Sequence, residues 1–205
     1  MKSKTLFINA SAAIVLAAGI TSCSGKDISG TWAGQTSRLD NVPSAATASA
    51  LNTFDFSPVD KQTKQGDVNI SSLINVTQAV QPIQSTLSYP YEVNIAATAT
   101  ISGKYVFEKD DDDDILITFD PASMNVVVDP DGVSFSQNLL SGLEQPELDS
   151  LTQATIASWK AELSRAMLIN FNRFSKISDI EIHHGNTLTC EVDDHDLTFS
   201  KVSAE

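Results

Sequence analysis

The chain contains few cysteines, histidines and basic residues, and each shortage argues against a class of function. Only two of its 205 residues are cysteine and three are histidine, so a fold held by several disulfides is not expected. Thirteen Lys and Arg stand against 26 Asp and Glu, which leaves a net charge of −13. This acidic balance argues against nucleic acid and anionic lipid surfaces as partners.

The sequence also lacks the short motifs of common enzyme classes. It has no Gly-x-Ser-x-Gly elbow, His-Glu-x-x-His helix, Walker loop or Cys-x-x-Cys pair. The acidic run Asp110–Asp114 lacks the alternating ligands and the glycine of an EF-type calcium loop. His183 and His184 are neighbours on a predicted strand and therefore point to opposite faces, which makes joint chelation poor. A zinc site in which His195 joins one of them across the hairpin is the alternative. We predict no enzyme, no cofactor and no metal, with a hydrolase as a distant alternative.

An apolar stretch at the amino terminus indicates the compartment. Lys2 and Lys4 precede the apolar residues 6–19, and Ile20-Thr21-Ser22-Cys23 resembles a bacterial lipobox. The apolar residues are too few to span a bilayer comfortably. The pattern therefore predicts a lipoprotein signal peptide with Cys23 as the acylated residue. An ordinary secretory signal, or a membrane anchor, is the alternative.

This prediction divides the chain into three parts: residues 1–22 are the signal peptide, residues 23–29 a lipidated tether and residues 30–205 a single domain. Cleavage leaves 183 residues and a net charge of −15, because two lysines leave with the signal. Several acyl chains would hold the protein stably on a membrane, where one chain alone is marginal. Ser24 after Cys23 is compatible with sorting to the outer membrane, so we expect a lipid-anchored protein of the cell envelope.

The second cysteine, Cys190, belongs to an alternating run. Leu188, Cys190 and Val192 fall on one face of a predicted strand. We predict a buried thiol that packs as a small hydrophobic group and is not a nucleophile. With Cys23 acylated, no intramolecular disulfide can form.

Alternation of apolar and polar residues predicts a sheet-rich body. The clearest run extends over residues 91–107 and would be roughly 55 Å long at about 3.3 Å per residue, so it must bend or break. Gly103 and the alanines at 96, 97 and 99 are the expected places. The run Asp110–Asp114 predicts a hairpin into residues 115–119.

Shorter runs continue the meander. Turns are predicted at residues 120–123 and 129–132, and two further hairpins, at residues 184–186 and 193–196, close the chain. These runs amount to nine or ten antiparallel strands.

One long amphipathic helix, at about residues 146–174, interrupts the strands. Apolar residues recur there in steps of three and four, Pro146 suits the first turn, and Glu147 complements the positive helix N-terminus. At about 43 Å the helix is long enough that we expect a kink or a split. We predict that it packs on the sheet, with a partner-binding or membrane-surface helix as the alternative.

These features together resemble the lipocalin-like bacterial lipoproteins. The resemblance is carried by Gly30-Thr31-Trp32 in the first strand, the meander over residues 102–120, the late helix and the closing run at residues 197–201. It implies a mainly β fold in which an antiparallel meander forms a lipocalin-like barrel. The helix precedes the last three strands, which leaves a strongly curved sheet as the alternative. The resemblance also implies that Lys201 packs over Trp32, as a basic residue does in lipocalins.

The resemblance further implies a non-catalytic binding module for a small apolar ligand, held by inward aromatic side chains. The candidates are Trp32, Phe54, Phe56, Tyr105, Phe107 and Phe119, and for each of them simple core packing is the alternative. The second hypothesis is a structural or accessory subunit with a filled core that docks onto another envelope protein. A cavity of several hundred cubic ångströms would favour the first, and a packed interior with an exposed apolar patch the second.

Acylation of Cys23 can be checked in the producing cells. When they are fed radioactive palmitate, we expect the mature protein to carry the label and to remain with the membranes. Recovery of the processed chain, unlabelled, from the culture fluid would contradict the prediction.

Overall fold

The computed structural model describes residues 26–81, 90–108 and 113–203. The predicted signal peptide, Cys23 and most of the run Asp110–Asp114 lie outside the described residues. Nothing in the structure therefore tests the lipobox or a metal at that run.

The described chain contains nine strands and one long helix. The strands are β1 (Gly30–Ala33), β2 (Ser37–Arg38), β3 (Ala46–Phe56), β4 (Gly66–Val80), β5 (Tyr91–Phe107), β6 (Ile115–Phe135), β7 (Lys176–His183), β8 (Thr187–Val192) and β9 (His195–Lys201). A four-residue helix α1 (Gln137–Leu140) and the long helix α2 (Gln145–Asn172) connect β6 to β7, and a 3-10 turn at Arg173–Ser175 follows α2.

All nine strands belong to one antiparallel sheet that closes in a ring. Their order is β1, β9, β8, β7, β6, β5, β4, β3, β2, and β1 also pairs with β3. In β1, Trp32 pairs with Phe54 on one side and with Lys201 on the other. The prediction of a mainly β antiparallel meander with one long helix is confirmed.

Strand β5 forms as predicted, over all 17 residues. Its side chains alternate between buried and exposed for most of its length. Shifts in its register with β6 fall at Ala96, where a bend was predicted, and at Ile101.

Strand β6 differs from the prediction, because the two predicted turns at residues 120–123 and 129–132 do not reverse the chain. Between Val128 and Val133, β6 carries extra residues opposite Ala96 and then rejoins the same ladder. A similar excursion lies between Asp120 and Asn125. Proline is tolerated in such bulges because no ladder hydrogen bond depends on its missing N–H.

Helix α2 forms where it was predicted, but as one uninterrupted helix, so the expected split does not occur. It begins one residue early and gives way to the 3-10 turn after Asn172. A capping box holds its start: the backbone N–H of Glu144 donates to the Glu147 carboxylate at 2.9 Å, and the Glu144 side chain accepts in return. The buried residues of α2 share one side: Trp159, Leu163, Ala166, Met167, Asn170 and Phe171.

That buried side faces the inner surface of the sheet. Helix α2 lies mainly along β6, and its side chains reach across the interior to two other strands. Trp159 Nε1 donates to Gln78 of β4 at 3.0 Å, and Asn170 accepts from Asn52 Nδ2 of β3 at 3.3 Å. The inner face between those two levels carries small buried residues, including Ala50 and Ala97. Their size leaves room for the helix within the curvature of the sheet.

The contact between Asn52 and Asn170 is part of a buried polar chain. Ser72 Oγ donates to Asn52 Oδ1 at 2.5 Å, and all three side chains are buried. Buried polar groups in an apolar core are stable only when they are hydrogen-bonded. The chain therefore defines the register of α2 against β3 and β4.

The substitution Asn170→Ala should lower the free energy of unfolding by about 1–3 kcal/mol, because it leaves the Asn52 amide buried without its acceptor. Urea denaturation measures the change. The matched control is Asn172→Ala, two residues along the same helix and exposed, for which we expect about 0.5 kcal/mol or less. Equal losses in both variants would contradict a specific role of the polar chain.

Candidate functional site: the aromatic interior and the outer face

The structure brings most of the predicted aromatic residues together at one end of the ring. Trp32, Phe54, Phe56 and Tyr105 are all at least 95% buried. Phe107 and Phe119 are half-buried and pack against the same core. These residues come from β1, β3, β5 and β6, so the cluster forms only when the sheet curls.

Ring contacts connect the cluster. Phe54 lies at its centre, 5.9 Å between centroids from Phe56 and stacked on it, and in edge contact with Phe174 and Phe199 at 4.9 and 5.3 Å. Tyr105 extends the cluster, 5.2 Å from Phe56 and 6.1 Å from Phe107. Such aromatic pairs stabilise the core beyond the area they bury.

Phe174 and Phe199 were not among the predicted site residues. Phe199 alternates with Leu197 in the closing strand, and this period of two was a usable signal. Phe174 lies beyond the regular part of α2, in the 3-10 turn, where helical periodicity no longer indicates which side is buried.

Trp32 is held from two directions. Its Nε1 donates to the carbonyl of Ile28 at 2.8 Å, and the Lys201 ammonium lies 5.1 Å from the centroid of its ring. The predicted contact between Lys201 and Trp32 is therefore present. Gly30 permits it, because its φ is +116° and a Cβ there would lie 3.1 Å from Lys201 Cε.

The first described residues belong to the folded body. Ile28 is 1% exposed and lies against the aromatic cluster. Lys26 Nζ donates to the carbonyl of Ile180 at 2.6 Å and pairs with Asp113 at 2.6 Å. Residues from Lys26 onwards, within the segment predicted as a tether, thus contact the folded body.

The interior at this end is filled. Among the described residues it leaves a cavity of about 10 Å³, room for about one water molecule. Pockets for small-molecule ligands typically measure about 300–1,000 Å³. The lining is wholly apolar or aromatic: Ile28, Trp32, Phe54, Phe56, Ile115, Ile177, Ile180, Leu188, Cys190 and Phe199.

Tyr105 finds its hydrogen-bond partner inside the protein. Its hydroxyl donates to the carbonyl of Ser57 at 2.6 Å. Burial, with a smaller contribution from the Asp27 carboxylate, raises the pKa of Tyr105 to about 12. The hydroxyl is therefore neutral at physiological pH and is already satisfied without a ligand.

Cys190 is buried, as predicted, at 3% exposure. Burial, with a smaller contribution from Asp196, raises the pKa of its thiol to about 12. The reactive thiolate is therefore scarce at neutral pH, and a packing role is confirmed.

The outer face of strands β3–β6 carries an apolar row. Leu51 pairs with Leu73, Leu73 with Thr98 and Thr98 with Val127. Leu73 is 58% exposed and Val127 47%. The half-buried Leu51, the exposed Leu73 and Val127 and the Thr98 between them lie in register across four strands and form a strip.

Uncharged side chains extend this strip on both sides. We call the strip and these flanking residues the uncharged patch. It consists of Ser49, Leu51, Thr53, Ser71, Leu73, Asn75, Ala96, Thr98, Thr100, Asn125 and Val127. One side of the patch overlaps a shallow depression of about 430 Å³, lined by five Ser and Thr residues together with Asp55, Asn69, Ile70 and Ile101. Acidic residues border the patch, Asp55 and Asp120 towards one end and Glu92 towards the other. At the edge beside Ser49 lies Arg38 of β2, whose charge is paired with Asp40 at 3.3 Å. An uncharged surface of this kind is unusual in so acidic a chain.

Metal-binding clusters and membrane-spanning helices were both looked for in the described part of the chain. Within it, no group of three or more His, Cys, Asp or Glu side chains is arranged to hold a metal ion. His183 contacts the Thr189 hydroxyl, whereas His195 contacts the Asp193 carbonyl, so the two imidazole rings have different hydrogen-bond partners. No helix among residues 26–81, 90–108 and 113–203 has the length and apolarity to cross a membrane.

Comparisons with protein-family models, with curated proteins and with solved structures yield no match. The resemblance to lipocalin-like lipoproteins therefore remains a prediction.

The burial of Cys190 predicts both its reactivity and a pH dependence. The folded protein should resist maleimide at pH 8 and react after unfolding in urea. A raised pKa favours the protonated thiol in the folded state, so its contribution to stability is complete below the ordinary value of 9.0 and is lost as the pH rises towards 12. The variant Cys190→Ala should lack the part of the stability loss at alkaline pH that comes from ionisation of this thiol. Full modification without unfolding would contradict the assignment.

Proposed function

We propose that the protein is a lipid-anchored envelope protein that acts as an accessory subunit and docks onto another envelope protein through the uncharged patch. The observation that carries the proposal is the filled interior, whose cavity of about 10 Å³ is far too small for an organic ligand. A folded domain that cannot hold a ligand in its interior would act through its surface. Anchoring through Cys23 remains part of the proposal.

The position of α2 supports this choice over a ligand-holding cup. The helix fills the space inside the curved sheet with Trp159, Leu163 and Met167. To admit a ligand there, α2 would have to leave and break its hydrogen bonds to Gln78 and Asn52. Displacing six buried side chains would cost several kcal/mol.

The chemistry of the patch indicates the partner. A face without charges in a chain of net charge −13 can contact a second protein without burying unpaired charges. The acidic border favours a partner with basic residues around an uncharged centre. It argues against a second copy of this chain, whose acidic border would face an identical one.

The size of the patch indicates the strength of the contact. Three rows on four strands cover about 400 Å² at the usual spacings of a sheet. Contact on both partners would then bury about 800 Å², below the roughly 1,200–2,000 Å² of stable complexes. Such a contact is transient in solution, and confinement of both partners to one membrane would strengthen it by raising their effective concentration.

We propose further that the ring is a variant of the lipocalin barrel with its ligand space occupied. Gly30-Thr31-Trp32 in the first strand, Lys201 over the Trp32 ring and the closure of β1 onto both β3 and β9 support this. The insertion of α2 between β6 and β7 is the change that replaces a ligand with the chain's own side chains.

The docking proposal is tested by site-specific photo-crosslinking in intact cells. A photoreactive amino acid at Leu73 or at Val127 should yield the same cross-linked product of defined mass. The matched control is Ile169 on α2, similarly exposed at 42%, which should not yield that product. Leu73→Lys should abolish the product formed from Val127 without changing the unfolding midpoint.

Two results would contradict the docking proposal. One is an identical pattern of products from all three positions, which would indicate random collision. The other is a stoichiometric small molecule in the native mass spectrum of the lipidated protein purified from its own envelope, which would favour the ligand-binding hypothesis.

A further inference from the structure

The contacts of Lys26, three residues after Cys23, determine which end of the folded body is nearest to the lipid. This inference rests on the proposed acylation of Cys23. Lys26 is the first described residue, and its ammonium is bound to the Ile180 carbonyl and to Asp113, each at 2.6 Å. Two residues further on, Ile28 is buried beneath Trp32.

Very little chain remains between the acylated residue and this contact. Cys23 and Lys26 are three residues apart, and consecutive Cα atoms are about 3.8 Å apart, so at most about 11 Å separates their Cα atoms. This limit follows from covalent geometry alone. It is about the thickness of a lipid headgroup region.

The partners of Lys26 identify the end of the body. Asp113 precedes the start of β6, and Asp114 beside it pairs with Lys176 at 2.9 Å, at the start of β7. Strand β5 ends at the same level, where Phe107 pairs with Ile115. We call this the anchored end.

The opposite end of the body contains α1 and the beginning of β5. Asn138 of α1 donates to the carbonyl of Pro90 at 2.8 Å, and Tyr91 follows directly. Seventeen residues of β5 separate the two ends, at most roughly 55 Å at about 3.3 Å per residue. We call this the distal end.

We infer that the anchored end rests against the bilayer surface and that the distal end points away from it. The long strands β3–β6 then run away from the membrane. The uncharged patch, on the outward side of those strands, faces sideways towards other proteins anchored in the same membrane.

The charge of the anchored end indicates the kind of lipid surface that suits it. Among the described residues at this end acidic groups outnumber basic ones: Glu108, Asp113, Asp114, Asp179 and Glu181 stand against Lys26 and Lys176. A headgroup layer without net charge therefore suits this end better than an anionic one. The covalent tether, and not electrostatic attraction to the headgroups, keeps the anchored end at the bilayer.

Energy transfer to labelled lipid measures the orientation. The full lipidated protein is purified in detergent and reconstituted into phosphatidylcholine vesicles that carry a headgroup-linked acceptor. A donor is attached at Glu181→Cys for the anchored end or at Gln137→Cys for the distal end, both exposed positions. Cys190 is buried and Cys23 is blocked by acylation, so the introduced cysteine is the reactive thiol.

Transfer from Glu181→Cys should be several-fold greater than transfer from Gln137→Cys. A flexible Gly/Ser insertion of about twenty residues before Lys26 has a root-mean-square length of about 25 Å and should remove most of the difference. Urea denaturation of each labelled variant shows whether the body is intact.

Equal transfer from both positions, or greater transfer from the distal end, would overturn the orientation while leaving the anchor in place. Protein that does not float with the vesicles in a density gradient would overturn the anchor, and the orientation with it. The two failures are thus distinguishable.

Discussion

The closure of the ring depends on one short strand. β1 pairs with β3 and with β9, and its Trp32 is held between the Ile28 carbonyl and the Lys201 ammonium. Without these contacts the first and last hairpins would have unpaired edges and the aromatic cluster would be open to water. Gly30 adopts a φ of +116°, which favours glycine, and a Cβ there would crowd Lys201 Cε at 3.1 Å.

The long helix determines what the ring can do. A curved sheet alone would enclose space, but α2 fills that space, and the buried chain of Ser72, Asn52 and Asn170 defines its register. Small inward-facing residues such as Ala50 and Ala97 leave room for α2 against the inner face of the sheet. Because protein interiors are packed at nearly constant density, little volume remains for anything else. On the outer surface, neutral side chains lie in register on neighbouring strands of an otherwise acidic molecule.

Much of the local structure was predictable. Alternation in residues 91–107 indicated β5 to the residue, and the spacing of apolar residues indicated α2 to within two residues at each end. Sequence reasoning failed where local signals compete with long-range pairing. Asp and Pro at positions 120–121 and 129–130 are typical of turns, yet β6 continues through both because β5 offers it a ladder on either side.

The candidate site also contains residues that the sequence predicted and residues that it did not. Four of the six predicted aromatic residues are deeply buried, and the contact of Lys201 with Trp32 was expected from the resemblance. Phe174 and the uncharged patch were not foreseen. Phe174 is buried through a 3-10 turn that no periodicity describes, and the patch exists only because Leu51, Leu73 and Val127 fall in register on neighbouring strands.

The amino-acid sequence by itself determined the elements: which residues alternate, where the helix lies, and that the chain is acidic. These properties follow from the periods of strand and helix and from composition, which are local. Only the tertiary structure decided that β1 closes the ring, that the helix occupies its interior and that neutral residues align outside. Those outcomes depend on pairing between residues far apart in the chain, and the sequence pattern carries no direct record of which distant strands meet.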